Sequence, residues 1–419
     1  MKKIKNGIMA AIAATAGVAS LGGITSCSKP MYSTVKHIAP YLHEITYKDY
    51  RYDENWETIK EAEPFGCSSV RNGNFYGRNF DYVFNDTPEF IVRVKADKKK
   101  HRHESIAVAT HFGLRENKLL DGKYDEDLEL IPNLTMDGIN DAGVICSCNV
   151  VSMEPNVDGI TPETKPNDPN AFKLHCLFIA RYVIDNASSA KNAVELLTNN
   201  VNIVGDLNGT MDLHTMIADK NDTYIVEYYK KTTSTHNHFD VVARKINPDE
   251  ERPIMTNYYC NYDSIPGVFK GNKHDEKFGN ERFEILKKHY ADKRDEEYAF
   301  NDMVDLMKKV KFSQAFEYMH NPVPINAQSG EIDLNAEWYS EKLPQSKLLS
   351  PEPFEDWEEF SHQLDDMKRD YWIHRILDIR NPANSAFWIT THNSTYDLEE
   401  KRLQVIVQED YTHTYDYYL

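Results

Sequence analysis

Cysteine is scarce in this 419-residue chain, and what there is follows no pattern that staples loops or holds metals. The six are Cys27, Cys67, Cys146, Cys148, Cys176 and Cys260. Their spacing gives neither a disulfide framework nor a CxxC pair, so no structural metal and no cofactor is expected. Cys146 and Cys148 lie two apart, which on a strand puts both on one face as small core residues. Basic charge is also short: 48 Lys and Arg against 66 Asp and Glu leave a formal net charge of −18. With no basic stripe to neutralise phosphates, a nucleic-acid partner is excluded. The one basic cluster, Lys98-Lys99-Lys100-His101-Arg102-His103, reads as a solvated loop between strands. Low-complexity linkers and internal repeats are missing beyond residue 67, so 67–419 reads as one unit although it exceeds the usual domain size.

The first residues speak to compartment. Lys2, Lys3 and Lys5 precede an apolar run over 8–24 that is shorter and richer in Ala and Gly than a membrane span, and matches a secretory signal. Ile24-Thr25-Ser26-Cys27 then resembles a bacterial lipoprotein cleavage box, in which Cys27 becomes the acylated first residue. Plain signal cleavage near the same place, or an uncleaved anchor, are the other readings. Removing 1–26 takes away three lysines and no acids, which leaves −21. The expected site of action is the bacterial cell envelope, at its periplasmic or outer-membrane face, with membrane attachment through Cys27. Residues 27–66 are polar and tyrosine-rich, with His43, Tyr47, Tyr50 and Tyr52 but few aliphatics. They read as a tether, or as a propeptide packed on the domain that follows.

What the chain does have is a dense stretch over 66–82, GCSSVRNGNFYGRNFDY. Asn72-Gly73 between two strand-forming runs is a strong hairpin signal, closed by a two-residue type I′ turn. That register sets Arg71 opposite Asn74 and Cys67 opposite Arg78. Paired side chains lie about 4.5–5.5 Å apart at Cβ, close enough for the guanidinium to favour thiolate over thiol. If the Gly66–Cys67 bond is cut, Cys67 carries nucleophile and general base on one residue, because an α-amine titrates at about 7.7–8.0, near a thiol. Asp81 is placed to hold that amine. Gly66 suits the cut, having no Cβ to block attack on its carbonyl. The hairpin by itself leaves a second reading open, that Cys67 is an inert core cysteine.

Strand-like segments recur at 89–95, 105–110, 134–136 and 143–151, and alternation at Met211, Leu213, Thr215 and Ile217 leads through an Asn221-Asp222 turn into 224–229. Asp168-Pro169 offers a helix start, with Phe172, Cys176, Ile179 and Val183 on one face. Ser188 or Ser189 caps a second helix carrying Ala193, Val194 and Leu197. Residues 282–290 read as a short helix, and Asn301 caps another with Met303, Leu306, Met307 and Val310. Prolines 322, 324, 344, 351 and 353 mark an irregular excursion over 320–353. The end returns to strands at 385–391 and 402–409, joined by a turn around 393–398. This order predicts an α+β fold of two stacked, mostly antiparallel sheets with helices outside.

Cys67, GRNFDY at 77–82, MDGINDAGVICSCN at 136–149, DLHTMIADKNDTYIVEY at 212–228, MTN at 255–257 and ERF at 281–283 together resemble the choloylglycine hydrolase family. With penicillin V acylases and acid ceramidases, that family belongs to the N-terminal-nucleophile hydrolases of linear amides. The resemblance covers nearly all of 67–419 and implies a four-layer αββα sandwich. It puts the nucleophile on Cys67, the arginine and aspartate on Arg78 and Asp81, the oxyanion asparagine on Asn257 and the second arginine on Arg282. Asn149 falls at a position that is asparagine in bile-salt-like members. Neutral amide donors suit a tetrahedral oxyanion, and Arg282 adds a permanent cation. His214 lies in a matching block but reads as a satisfied core histidine. The implied substrate is a small acyl amide: a conjugated bile acid, an N-acyl amine or a ceramide-like lipid. An acyltransferase with the same nucleophile, or a non-catalytic ligand-binding surface lipoprotein, are the alternatives, and homo-oligomerisation stays open. One departure stands out: 39 residues separate Cys27 from Cys67, so exposing this thiol requires an internal cut after Gly66, as in the acid ceramidases.

Overall fold

Short runs of strand-forming residues, punctuated by Asx turns and helix caps, build two sheets and five helices among the described residues. The computed structural model describes residues 32–52, 65–82, 87–311 and 389–419, apart from 113, 115, 121, 123–127, 152–160, 167–170, 206–212, 230, 232, 249–250, 261–278 and 293–297. In chain order the first strands are β1 (Lys36–Ala39), β2 (Leu42–Tyr47), β3 (Phe65–Asn72), β4 (Phe75–Tyr82), β5 (Glu89–Val94) and β6 (Ser105–Thr110). There follow β7 (Thr135–Asn140), β8 (Ile145–Val150), β9 (Thr161–Thr164), β10 (Phe172–His175), β11 (Val201–Val204) and β12 (Leu213–Ala218). The last are β13 (Thr223–Tyr229), β14 (His238–Lys245), β15 (Ile254–Met255), β16 (Ile389–Asp397), β17 (Arg402–Val407) and β18 (Tyr415–Tyr418). The helices are α1 (Glu116–Leu120), α2 (Ile179–Asn186), α3 (Ala190–Asn199), α4 (Asn280–Asp292) and α5 (Phe300–Lys309).

The larger sheet runs β1-β2-β5-β6-β7-β8-β12-β13-β14-β9-β11-β10, the smaller β15-β3-β4-β16-β17-β18. Three pairs, β2 with β5, β14 with β9 and β10 with β11, are parallel. The other pairs among the described residues are antiparallel. α2 covers β7 and β8, α3 covers β11–β14, α4 lies on β15 and β3, and α5 lies on β4 and β16. β3 meets β8 where the sheets face each other. The layers are therefore helix, sheet, sheet, helix, the α+β sandwich expected from the element order.

Several local expectations shift by a few residues. Asp168-Pro169 lies outside the described residues, and Phe172 to His175 form a strand edge. His175 Nδ1 then accepts from Leu177 N and caps a short 3₁₀ turn that leads into α2. Ser189 Oγ accepts from Asn192 N at the start of α3, as a capping serine does. Asn301 sits inside α5; the residue closing the first turn is Asp302, whose carboxylate accepts from Ala299 N at 2.9 Å. The 389–397 segment is one continuous strand rather than strand and turn, because its Thr, Ser and Asn side chains are buried between neighbours instead of bending the chain. The excursion at 320–353 lies outside the described residues.

The polar N-terminal segment is woven into the larger sheet. β2 pairs with β5 along its length, from Leu42 opposite Glu89 to Tyr47 opposite Val94. Leu42, Ile45, Tyr47 and Tyr50 are buried. Tyr47 OH donates to Leu128 O at 2.5 Å, and Tyr50 and Tyr52 both donate to the Asp185 carboxylate. The 98–103 cluster is not merely solvated: Arg102 is buried over the Tyr50 ring and, with Lys100, grips Asp49. Here tyrosine replaces the aliphatics that composition showed to be missing, with an apolar body for the core and a hydroxyl for a buried acceptor. Ile45→Ala is therefore expected to destabilise the whole domain by about 2–4 kcal/mol, read from urea unfolding; a change under about 0.5 kcal/mol would mean that the segment is peripheral.

Candidate active site

Alternation along the β3–β4 hairpin divides its side chains between two environments. Cys67, Ser69, Tyr76 and Arg78 point at the larger sheet, where Ser69 and Tyr76 meet Ser147. Asn79 and Asp81 point at the helices, where Asn79 Nδ2 donates to Met307 O and Asp81 meets Arg282. The turn itself differs from expectation. Asn72 pairs with Phe75 and Cys67 with Phe80, so the loop is Gly73-Asn74, with positive φ at Gly73 (56°). Asn74 is held by a second turn: its carbonyl accepts from Leu398 N and its side chain donates to Glu399. The register slips by two residues, and a slip of two preserves which face each side chain occupies. Arg78, now opposite Ser69, still reaches the Cys67 sulfur, with Nη2 3.3 Å from Sγ.

Arg78 is fully buried and spends its donors on that sulfur, on Cys148 O (2.9 Å) and on Asp137 Oδ2 (3.0 Å). Asp81, three residues along and so on the opposite face, serves the backbone side of Cys67. β15 pairs Met255 with Ser69, which carries Asn257 to the level of Cys67. Cys67 N donates to Asn257 Oδ1 at 2.9 Å, and the same oxygen accepts from Arg282 Nη2 at 2.6 Å. Arg282 Nη1 binds Asp81 Oδ2 (2.7 Å) and Cys67 O (2.8 Å), while Thr390 Oγ1 donates to Asp81 Oδ1 (2.6 Å). Gly66 is needed here: a Cβ on it would lie 3.2 Å from both Cβ and Oδ2 of Asp81.

Cys67, Arg78, Asp81, Asn257 and Arg282 thus form one connected group, sulfur on one side and amide nitrogen on the other. Asn149 joins it at one remove. Its Oδ1 accepts from Ser69 Oγ, and its Nδ2 donates to Met255 O and Thr256 O, bracing the strand end that carries Asn257. Asn257 Nδ2 donates to Val150 O at 2.8 Å. His214 is buried with Nε2 on Thr256 O at 2.8 Å, backing the same turn, but it is not the satisfied core histidine expected: its buried Nδ1 lies 3.6 Å from Glu227 Oε1 and makes no hydrogen bond among the described residues. Among the described residues, two clusters away from the sulfur hold three ligand-type atoms within 4.8 Å, His37/His43/Glu116 and His214/Glu227/Cys260. In the first, His43 and Glu116 are already paired at 2.8 Å.

Burial decides the electrostatics. It pushes the Cys67 thiol up to about 12, against the downward pull of Arg78 and Arg282 and with Asp81 adding to the rise. The expectation that Arg78 tips this sulfur to thiolate fails in the continuous chain, where desolvation outweighs one adjacent cation. Burial likewise pushes Asp81 up to about 6 despite Arg282 and the Thr390 hydroxyl.

Sequence reasoning missed a second layer behind Arg78: Asp137, His392, Tyr396 and Glu89, all buried. The available signal was an aspartate inside the apolar strand of the 136–149 block, and a histidine amid polar residues in a central strand.

The family model described as linear amide C–N hydrolases, choloylglycine hydrolase family, matches residues 67–308. A search of curated proteins gave no match. Among solved structures, a mutant conjugated bile acid hydrolase from Clostridium perfringens is 12% identical with a TM-score of 0.37, covering 84% of this chain and 92% of that one. Penicillin V acylase from Agrobacterium tumefaciens is 13% identical with a TM-score of 0.29, covering 82% and 83%. The fold assignment rests on the strand order and layering above.

Asp81 gives a signed prediction. Its carboxyl is raised from an ordinary 3.8 to about 6, so between those values the native chain holds a proton that the unfolded chain has released. Its contribution to stability therefore falls as pH rises through that window. In a Cys67→Ala background, the stability advantage of Asp81 over Asp81→Asn is expected to be larger at pH 4 than at pH 7 in urea unfolding. The opposite slope would show Asp81 ionised throughout.

Proposed function

We propose that this chain, which belongs to the linear amide C–N hydrolases of the choloylglycine hydrolase family, cleaves an acyl amide with the Cys67 sulfur after cutting its own Gly66–Cys67 bond. The observation that carries the reading is the placement of two separate sets of groups on the two sides of one residue. Arg78 lies 3.3 Å from the sulfur, while Asn257 Oδ1 accepts from the amide nitrogen that the cut would turn into an amine, and Arg282, bonded to that same oxygen and to Asp81, holds the Cys67 carbonyl. The family match also opens at Cys67 itself.

In the first step the Cys67 sulfur attacks the Gly66 carbonyl, the acyl group passes from nitrogen to sulfur, and water releases the Gly66 carboxylate. The freed α-amine is the base for later turnovers. It takes the thiol proton as sulfur bonds to the substrate carbonyl, then delivers that proton to the leaving amine as the C–N bond breaks. Water attacks the thioester, passing its proton to the same amine, and the acid departs as the thiol is restored. Asp81 and Asn257 Oδ1 hold the amine, Arg78 faces the sulfur, Asn257 Nδ2 and backbone N–H groups receive the oxyanion, and Asn149, expected from the resemblance to join them, instead braces the turn that carries Asn257. The substrate we assign is a small acyl amide such as a conjugated bile acid, an N-acyl amine or a ceramide-like lipid. The enzyme works in the cell envelope, anchored through Cys27.

Because β2 is bonded along its length to β5, Tyr47 is held by Leu128 O, and Tyr50 and Tyr52 beyond the strand are held by Asp185, the N-terminal piece stays on the enzyme after the cut. Wild-type protein is expected to show two masses that part between 66 and 67 yet co-elute on size exclusion without denaturant; loss of the smaller chain would refute its retention. Cys67→Ala is expected to remain one chain and to lose amidase activity by roughly 10³-fold or more. A Cys67→Ala protein that matures normally and still hydrolyses amides would overturn the mechanism.

A further inference from the structure

Behind Arg78 the buried polar groups form a single line of alternating charge that crosses from the smaller sheet to the larger. Arg78 Nη1 on β4 lies 3.0 Å from Asp137 Oδ2 on β7. The same oxygen is 3.0 Å from His392 Nε2 on β16, and His392 Nδ1 is 3.0 Å from Glu89 Oε2 on β5. Tyr396 OH donates to the other Asp137 oxygen at 2.5 Å, and Thr110 Oγ1 donates to Glu89 Oε2 at 2.5 Å. Phe80 stacks on the His392 ring at 5.2 Å and lies 5.0 Å beneath the Arg78 guanidinium. Arg78, Asp137, His392 and Glu89 are all fully buried.

Such a line is costly unless its charges balance, because each unpaired buried ion forfeits its hydration. Two cations and two anions do balance if His392 is doubly protonated. Its neighbours favour that state: although burial works against it, Glu89 and Asp137 together raise its pKa. Arg78 Nη1 is also 3.0 Å from His392 Nε2, so these two donors face each other directly, and the Asp137 oxygen that lies 3.0 Å from each is what offsets their repulsion.

We propose that Glu89, His392 and Asp137 are positioning residues, a charge-balanced brace between the sheets that fixes the Arg78 guanidinium on the Cys67 sulfur. The inference rests on the reading of Cys67 as nucleophile, and it predicts a particular pattern. Removing His392 alone leaves two carboxylates facing each other next to the guanidinium, so Arg78 loses its place and the local charge around the sulfur turns negative. Removing Glu89 as well takes away more hydrogen bonds yet restores the balance. A merely structural role makes the double variant worse than the single one; the brace makes it better.

The test uses the full chain as expressed: wild type, His392→Gln and Glu89→Gln/His392→Gln. Iodoacetamide alkylation of Cys67 is followed against pH as mass gain on the peptide that carries it, beside kcat, KM and thermal melting. His392→Gln is expected to raise the alkylation inflection by about one pH unit and lower kcat about tenfold with KM unchanged; the double variant recovers to within about threefold of wild type. A His392→Gln profile that overlays the wild type, or a double variant no better than the single, overturns the proposal. Where His392→Gln fails to fold, a double variant that folds with near wild-type alkylation supports the brace, and one that fails likewise overturns it. Activity retained in Cys67→Ala would defeat the nucleophile assignment instead, while the alkylation series would still report whether the brace governs that sulfur.

Discussion

A guanidinium with no exposed surface has to find acceptors inside the protein, and Arg78 finds them on both sheets. Its contacts to Cys67 Sγ and Cys148 O sit where β3 faces β8, and its contact to Asp137 ties β4 to β7. Left without those partners, a buried cation would cost several kcal/mol. The sandwich interface is thus organised around one side chain: the groups that satisfy the charge also fix the sulfur. Stability and chemistry share the same atoms at this point, which is why so many buried polar residues gather in an otherwise apolar layer.

The second constraint is the alternation of a β-strand. Arg78 and Asp81 are three residues apart, so they occupy opposite faces of β4 and address opposite sides of Cys67. One side presents the sulfur to the space between the sheets. The other presents the main chain to α4 and the 254–257 turn, where Asn257 Oδ1 accepts from the nitrogen and Arg282, paired with Asp81, binds the carbonyl. A residue that is to use sulfur and amine together needs both sides furnished, and a hairpin next to a helix layer furnishes them separately. Gly66 completes the arrangement, since any side chain there would press on Asp81.

Much of this was legible from residue order. The hairpin at 66–82, the hairpin ending in 223–229 and the amphipathic helix at 300–309 all follow from short-range pattern, as does the layered α+β class. The turn was misplaced by one position because Asn-Gly is a local signal, whereas Asn74 is held by Leu398 and Glu399, more than three hundred residues away. The site tolerated that error because a two-residue slip leaves faces unchanged; a one-residue slip would have turned Arg78 away from the sulfur. The segment before the hairpin looked like a tether because it lacks aliphatics. Its tyrosines are buried by acceptors on Leu128 and Asp185 that no local window contains.

The amino-acid sequence by itself determined which functional groups the hairpin and its neighbours offer, since a thiol, a guanidinium, carboxylates and amides at these positions are properties of the side chains, and their order matches a family. It determined the faces of the hairpin too, because alternation is a two-residue rule. Only the tertiary structure decided how those groups behave. Whether Cys67 is thiol or thiolate depends on desolvation summed over every neighbour, and whether Arg78 stays on it depends on Asp137, His392 and Glu89 arriving from three other strands. Both are long-range quantities, set by which surfaces exclude water together, and no stretch of chain contains them.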